Sequence, residues 1–177
     1  VTLNGVPGFK FLIDTGASIT IVMDTPKVLA LNLERGYDLA LGGWVGEGKS
    51  PAFQTSAKTL SLSGVGFEVV NLAFIPSTTT KYFLDPTEAV YDGVLGHDVL
   101  HHFSWIFDKQ ENRIAISREA YVEPKNATVI EFDTFFSKID IAGKIDFGNG
   151  QVIDHEIIID TGSRHYLKVA SELIEGE

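Results

Sequence analysis

The sequence predicts a mainly β chain in which one module begins twice. Three observations carry that reading. Apolar runs of four to eight residues recur between turn residues, helical signals are few and short, and an apolar strand ending in Asp-Thr-Gly occurs twice.

The strand-like runs are Phe9 to Ile13, Ile19 to Val22, Thr59 to Ser63, Glu68 to Ile75, Arg113 to Ile116, Lys138 to Ile141 and Glu156 to Ile159. Gly, Asn, Asp and Pro bound them, and these are the residues that turns require. Thr25-Pro26 supplies a hydroxyl cap and a proline at the first helical position, which predicts a helix leading into Lys27 to Leu33. Residues 96–103 predict two helical turns after a strand. Both helices read as connectors. Arg118 to Ala127 breaks the strand rhythm with charge, Pro and Asn, so residues 118–127 read as a linker.

The sequence repeats itself across that linker. Phe9 to Ala17 parallels His155 to Ser163, each is followed by a second β-like run (Ile19 to Val22 and Tyr166 to Val169), and each is preceded by a turn, at Asn4-Gly5 and at Gly148-Asn149-Gly150.

Composition limits the functional classes. The 177 residues carry a formal charge of −10 with no run of Lys or Arg, which is the opposite of the footprint that displaces counterions from nucleic acid. No window approaches the roughly 18 apolar residues of a spanning helix. The start at Val1-Thr2-Leu3 has neither the basic region nor the long apolar core of a signal peptide. With no cysteine, disulfides, thiol nucleophiles and thiolate metal sites are excluded.

The repeated tripeptide carries chemistry. A strand ending in Asp-Thr-Gly sets a carboxylate at the tip of a buried strand and turns the chain with a residue that lacks a Cβ. When two such carboxylates meet, like charge disfavours double ionisation and the pair keeps one proton. The ionised member then takes a proton from water while the protonated member donates to a substrate carbonyl. Asp14 and Asp160 are the candidates, and no metal or other cofactor is required.

Three features in order give the chain a family resemblance: Asp14-Thr15-Gly16-Ala17-Ser18, the glycine-rich Leu41 to Gly48, and Asp92-Gly93-Val94-Leu95-Gly96-His97-Asp98-Val99-Leu100. Together they resemble the aspartic peptidases of the retropepsin/pepsin clan, in which two aspartates sharing one proton is established behaviour. The second Asp-Thr-Gly resembles bacterial tandem-lobe aspartyl protease family proteins. The resemblance implies an acid-protease fold: a closed retropepsin-like β lobe over residues 1–117, the linker, and the N-terminal part of a second, incomplete lobe over 128–177. It implies that Thr15 and Thr161 grip one active-site loop to the other. Gly16 and Gly162 would let backbone approach the carboxylates, and Ser163 occupies the place where pepsin-like lobes use a hydroxyl to hydrogen-bond the carboxylate, where the first loop has Ala17. Gly42, Gly43, Trp44, Val45 and Gly46 would form a flap over substrate, and Gly93 to Leu100 would support the active-site loop.

The expected activity is endopeptidase cleavage of a polypeptide bound as an added strand. The alternative is a catalytically inactive peptide-binding or scaffold domain on the same fold. A homodimer that pairs two copies of Asp14 is a further arrangement, less expected because the second motif lies in the same chain. After Asp160 the sequence holds neither a second flap nor a second hydrophobic-Gly element. The bacterial resemblance suggests an extracytoplasmic or periplasmic site. Asp98 is expected to cap the short helix and bond nearby backbone. His97 and His101 stand at i, i+4 spacing but have no evident third metal ligand, and His155 and His165 read as exposed strand ends.

Overall fold

Three short apolar runs build the inside of the first sheet. β2 (Phe11–Ile13), β3 (Ile21–Met23) and β7 (Gly93–Leu95) have three residues each, and β3 and β7 are buried throughout. Unbroken apolar runs suit strands covered on both faces. β7 lies between the other two, parallel to β2 with Ile13 opposite Leu95, and antiparallel to β3 with Ile21 opposite Val94. Gly93 is required at this crossing, because a Cβ there would collide with the Ile21 carbonyl and the Phe11 ring. These contacts come from a computed structural model, which describes residues 1–42, 49–76, 91–135, 137–163, 167 and 169.

The remaining strands extend this centre into a seven-stranded sheet. Its order is β1 (Thr2–Leu3), β5 (Lys49–Leu62), β6 (Val65–Ile75), β3, β7, β2, and β4 (Asp38–Gly42) also pairs with β5. Two tight turns set the register. Asn4 and Gly5 have φ of 49° and 80°, and Ser63 and Gly64 have 46° and 90°. Two successive positive φ values match the right-handed twist of paired strands, which is why Asn-Gly and Ser-Gly sit there. Val1 and Phe9 exchange bonds of 2.9 and 3.0 Å between the β1 side and the approach to β2. The two ends of the strand order are thereby drawn together into a curled half-barrel, filled by Leu3, Phe9, Val22, Leu60, Leu72 and Leu95.

The helices are shorter than the sequence suggests. α1 (Pro26–Leu29) has the expected Thr25 cap, whose hydroxyl accepts from the Val28 N–H, but it stops before Leu33. Leu31 and Asn32 donate back only three residues, to Val28 and Leu29, and Asn32 takes φ of 49°, so the turn tightens and ends. α2 (His97–Leu100) is one turn, and its cap residue, Gly96, makes no side-chain capping bond. The expectation that Asp98 caps this helix is therefore wrong: its two carboxylate oxygens are taken by the backbone N–H and the hydroxyl of Thr20.

β8 (Ser104–Asp108) and β9 (Arg113–Ser117) form a separate two-stranded sheet. Trp105 ties it to the first core by packing against it and by donating its indole N–H to Leu100 O at 2.8 Å. Residues 118–132 carry neither helix nor strand. A three-stranded antiparallel sheet follows: β10 (Asp133–Phe135), β11 (Lys138–Asp146) and β12 (Val152–Ile159). Its register sets Ile139, Ile141 and Ile145 opposite Ile159, Ile157 and Ile153, so one face carries three isoleucine pairs, interrupted by Gly143 opposite His155. The expected turn at Gly148-Asn149-Gly150 joins β11 to β12, with both glycines at positive φ.

Candidate active site

Asp14 stands where β2 runs out beside the end of β7. Its N–H donates to Leu95 O at 3.1 Å, the last backbone link between the two strands. The chain then turns, and the Asp14 carboxylate itself caps the turn: Oδ1 accepts from Gly16 N at 2.8 Å and from Ala17 N at 3.1 Å. A short side chain that reaches its own following amides is what makes aspartate suited to a turn. α2 holds the far side of this loop, because His97 N donates to Ala17 O at 2.8 Å.

Asp160 stands in the same way at the end of β12. Its Oδ1 accepts from Gly162 N at 2.9 Å and from Ser163 N at 3.0 Å. The two loops thus share one internal hydrogen-bond pattern although they arise from different sheets.

The loops meet through their threonines. Thr15 N donates to Thr161 Oγ1, and Thr161 N donates to Thr15 Oγ1, both at 3.1 Å. Each hydroxyl passes its own proton across, Thr15 Oγ1 to Ile159 O at 2.6 Å and Thr161 Oγ1 to Ile13 O at 2.8 Å. Four bonds related by exchange of the two loops fix Asp14 and Asp160 face to face. The glycines lie in the remaining gap. A Cβ on Gly16 would stand 2.6 Å from the carboxyl carbon of Asp160, and one on Gly162 would stand 2.5 and 2.7 Å from the carboxylate oxygens of Asp14.

This geometry changes the acidity of Asp14. Burial disfavours its charge, the neighbouring Asp160 carboxylate repels a second negative charge, and a hydrogen bond to the Asp160 carboxyl favours its proton. The Gly16 and Ala17 amides pull the other way, and the outcome is a carboxyl pushed up to about 6. Asp14 is half-buried and Asp160 exposed, so the two carboxyls sit in unequal surroundings. Ser163 contributes its backbone N–H to Asp160.

Two further aspartates, whose threonine partners nothing in the sequence marks, secure the site. Asp98 accepts from Thr20 N at 2.9 Å and from the Thr20 hydroxyl at 2.6 Å. Asp92 is buried, and accepts from Lys10 N at 2.8 Å and from the Thr25 hydroxyl at 2.6 Å. Thr20 and Thr25 flank β3, and Asp92 and Asp98 flank β7, so a carboxylate clamps each end of this strand pair within the protease-like fold. The signal available in sequence was an acidic residue on each side of an apolar strand, where burial makes an unpaired charge costly.

The flap expectation is only partly within view. β4 and β5 pair from Asp38–Phe53 to Gly42–Lys49, which places Gly42 at the end of an antiparallel ladder. Gly43, Trp44, Val45 and Gly46 lie outside the described residues, as do His165 and Tyr166. His97 and His101 do stack, with centroids 5.2 Å apart, and the His101 ring Nδ1 bonds His97 O at 2.7 Å. Among the described residues no group of three or more His, Cys, Asp or Glu is arranged to hold a metal ion. No helix among them is long and apolar enough to cross a membrane. His155 is exposed on β12.

A family model described as aspartyl protease matches residues 1–99, the stretch that contains Asp14, β7 and the Asp–Thr clamps. No curated protein and no solved structure matches the chain. Since the match covers more than half of the 177 residues and coincides with the curled half-barrel that carries Asp14, the chain belongs to the aspartyl protease family.

Proposed function

We propose that this protein is an aspartic endopeptidase that hydrolyses peptide bonds with a water held between Asp14 and Asp160. The observation that carries the reading is the reciprocal threonine exchange, which sets two identically built Asp-Thr-Gly loops against each other with each glycine on the opposite carboxylate. These four bonds run from one sheet to the other and none lies within a sheet.

The chemistry follows from the unequal surroundings of the two carboxyls. Asp14, held up to about 6, keeps its proton in mildly acidic solution, and the more exposed Asp160 serves as base. Asp160 takes a proton from the water as its oxygen bonds to the substrate carbonyl carbon, and Asp14 gives its proton to the carbonyl oxygen, forming a tetrahedral diol. Asp160 then protonates the amide nitrogen, Asp14 recovers a proton from a diol hydroxyl, and the C–N bond breaks. Both carboxyls end as they began. An extended polypeptide is the substrate class this supports, because β4 pairs only with β5 among the described residues and leaves an edge open to an added strand.

The test is digestion of a denatured polypeptide across pH 3–8 by wild type, Asp14→Asn and Asp160→Asn, with and without a chelator. Cleavage by wild type alone, indifferent to chelator, is expected. Cleavage that survives both substitutions, or that a chelator abolishes, overturns the mechanism. Binding of an extended peptide without cleavage at any pH would instead leave a peptide-binding domain on the same fold.

A further inference from the structure

The clamp at Thr20 does more than close a strand pair. Thr20 is wholly buried, and its hydroxyl is used twice: it donates to Asp98 Oδ1 at 2.6 Å and accepts from Gly96 N at 3.1 Å. Its own N–H goes to Asp98 Oδ2 at 2.9 Å, and its carbonyl accepts from Ala73 N at 3.0 Å. The next amide along the chain from Gly96 is that of His97, which donates to Ala17 O. On its other side the Ala17 residue donates its N–H to Asp14 Oδ1. A Cβ on Gly96 would stand 2.5 Å from the Ile19 carbonyl carbon and 3.0 Å from Ala17 O, so the cap residue of α2 packs directly on the chain that follows Asp14.

We infer that Thr20 and Asp98 are positioning residues that hold the Ala17 amide against Asp14 and so set the acidity of Asp14. The catalytic consequence rests on the proposed function; the link between the residues does not. The Ala17 N–H stabilises the ionised carboxyl, opposing the effects of burial and of Asp160, which is the titratable group facing Asp14. Loosening Gly96 and His97 weakens that bond and raises the pH at which Asp14 titrates. Thr25 and Asp92 close the other end of β3 with a bond of the same length, 2.6 Å, but contact the start of β2 rather than the Ala17 amide. They supply an internal control.

The experiment is a titration of the Asp14 side-chain carboxyl carbon by NMR in the full chain, for wild type, Thr20→Val, Thr20→Ser and Thr25→Val, with thermal melting of each. Valine keeps the shape of threonine but removes both hydroxyl bonds, and serine restores them. Thr20→Val should move the Asp14 midpoint upward by about half a pH unit, the size expected for a weakened hydrogen bond to a carboxylate. Thr20→Ser should stay at the wild-type midpoint. Thr25→Val should lower the melting temperature without moving Asp14. An unmoved midpoint in Thr20→Val, or an equal movement in Thr20→Ser or Thr25→Val, overturns the inference. Should Thr20→Val not fold, Asp98→Asn carries the same test, since it keeps the side-chain size but cannot accept from both Thr20 donors. If wild type cleaves no peptide, the proposed function fails while this titration still decides the positioning role.

Discussion

The Thr15 hydroxyl accepts from the Thr161 N–H at 3.1 Å and donates to Ile159 O at 2.6 Å, while the Thr161 hydroxyl repeats both contacts in the opposite direction. Each threonine thus supplies half of one shared lock. Thr15→Val removes two of the four bonds and should cost roughly 2 kcal/mol at about 1 kcal/mol per bond. Thr161→Val should cost the same, and the double variant should cost less than the sum, because the first loss already separates the loops. A double-mutant cycle by chemical denaturation checks this, with a coupling of about 1 kcal/mol or more expected and an additive result ruling out the shared lock.

The raised acidity range of Asp14 makes a prediction for stability and, through the proposed mechanism, a second one for cleavage. A group whose value is raised to about 6 on folding from 3.8 favours the folded state below its unfolded value, and that contribution is lost as pH rises through about 6. Asp14→Asn should therefore gain stability relative to wild type at pH 8 and lose that gain at pH 4, as measured by thermal melts. Cleavage by wild type should fall on the alkaline side as Asp14 loses its proton near pH 6, with the two limbs of the profile belonging to the coupled pair. The proposed mechanism needs one proton donor and one acceptor in the same turnover, so Asp14→Asn and Asp160→Asn should each reduce kcat by about 10³-fold or more.

The parts that were legible in the sequence are those where a local rule acts alone. Asn4-Gly5 and Gly148-Asn149-Gly150 announce turns because few other residues accept a positive φ. The strands around Ile13 and Val22 show as apolar runs, while the strand around Val94 enters the reading only within the Asp92 to Leu100 motif. The long β5 was visible only at Thr59 to Ser63, because its earlier half, including Pro51, Gln54 and Ser56, has the composition of a loop and is held by pairing with β4 and β6. β8 went unrecognised since its two exposed residues, Ile106 and Phe107, break the alternation expected of a half-buried strand. At the site, Asp14 and Asp160 were legible from the tripeptide. Thr20 and Thr25 were not, because their partners lie 78 and 67 residues away and nothing local marks the pairing.

Gly16 and Gly162 make a sharper test of how closely the two Asp-Thr-Gly loops approach. Gly162→Ala would bring a methyl group to 2.5 and 2.7 Å from the Asp14 oxygens, and Gly16→Ala would bring one to 2.7 and 2.9 Å from those of Asp160. Neither is ordinary contact, and what yields is a carboxylate held by two backbone N–H groups. Each substitution should abolish cleavage and reduce stability by about 1–3 kcal/mol, the usual cost of overpacking. A variant that retains wild-type cleavage would mean that the loops stand further apart than these contacts require.

His97 offers a pH test on the other side of the loop. Partial burial and the neighbouring His101 ring both disfavour its charge, in that order, and outweigh the attraction of Asp98, so its value lies below the ordinary 6.5. For a base lowered on folding, the unfolded chain takes up the proton first as the solution is acidified. Its contribution to stability is therefore full above pH 6.5 and declines as pH falls through the folded value. Asp14 changes stability in the opposite sense over an adjoining range, so the informative quantity is the difference between His97→Gln and wild type, which cancels the Asp14 contribution. Glutamine keeps the backbone bond from residue 97 to Ala17 O but cannot titrate. Denaturant unfolding at pH 7.5 and pH 5 should show His97→Gln gaining on wild type as the solution is acidified, and a difference that stays constant would show that the stacked pair at His97 and His101 does not sense pH.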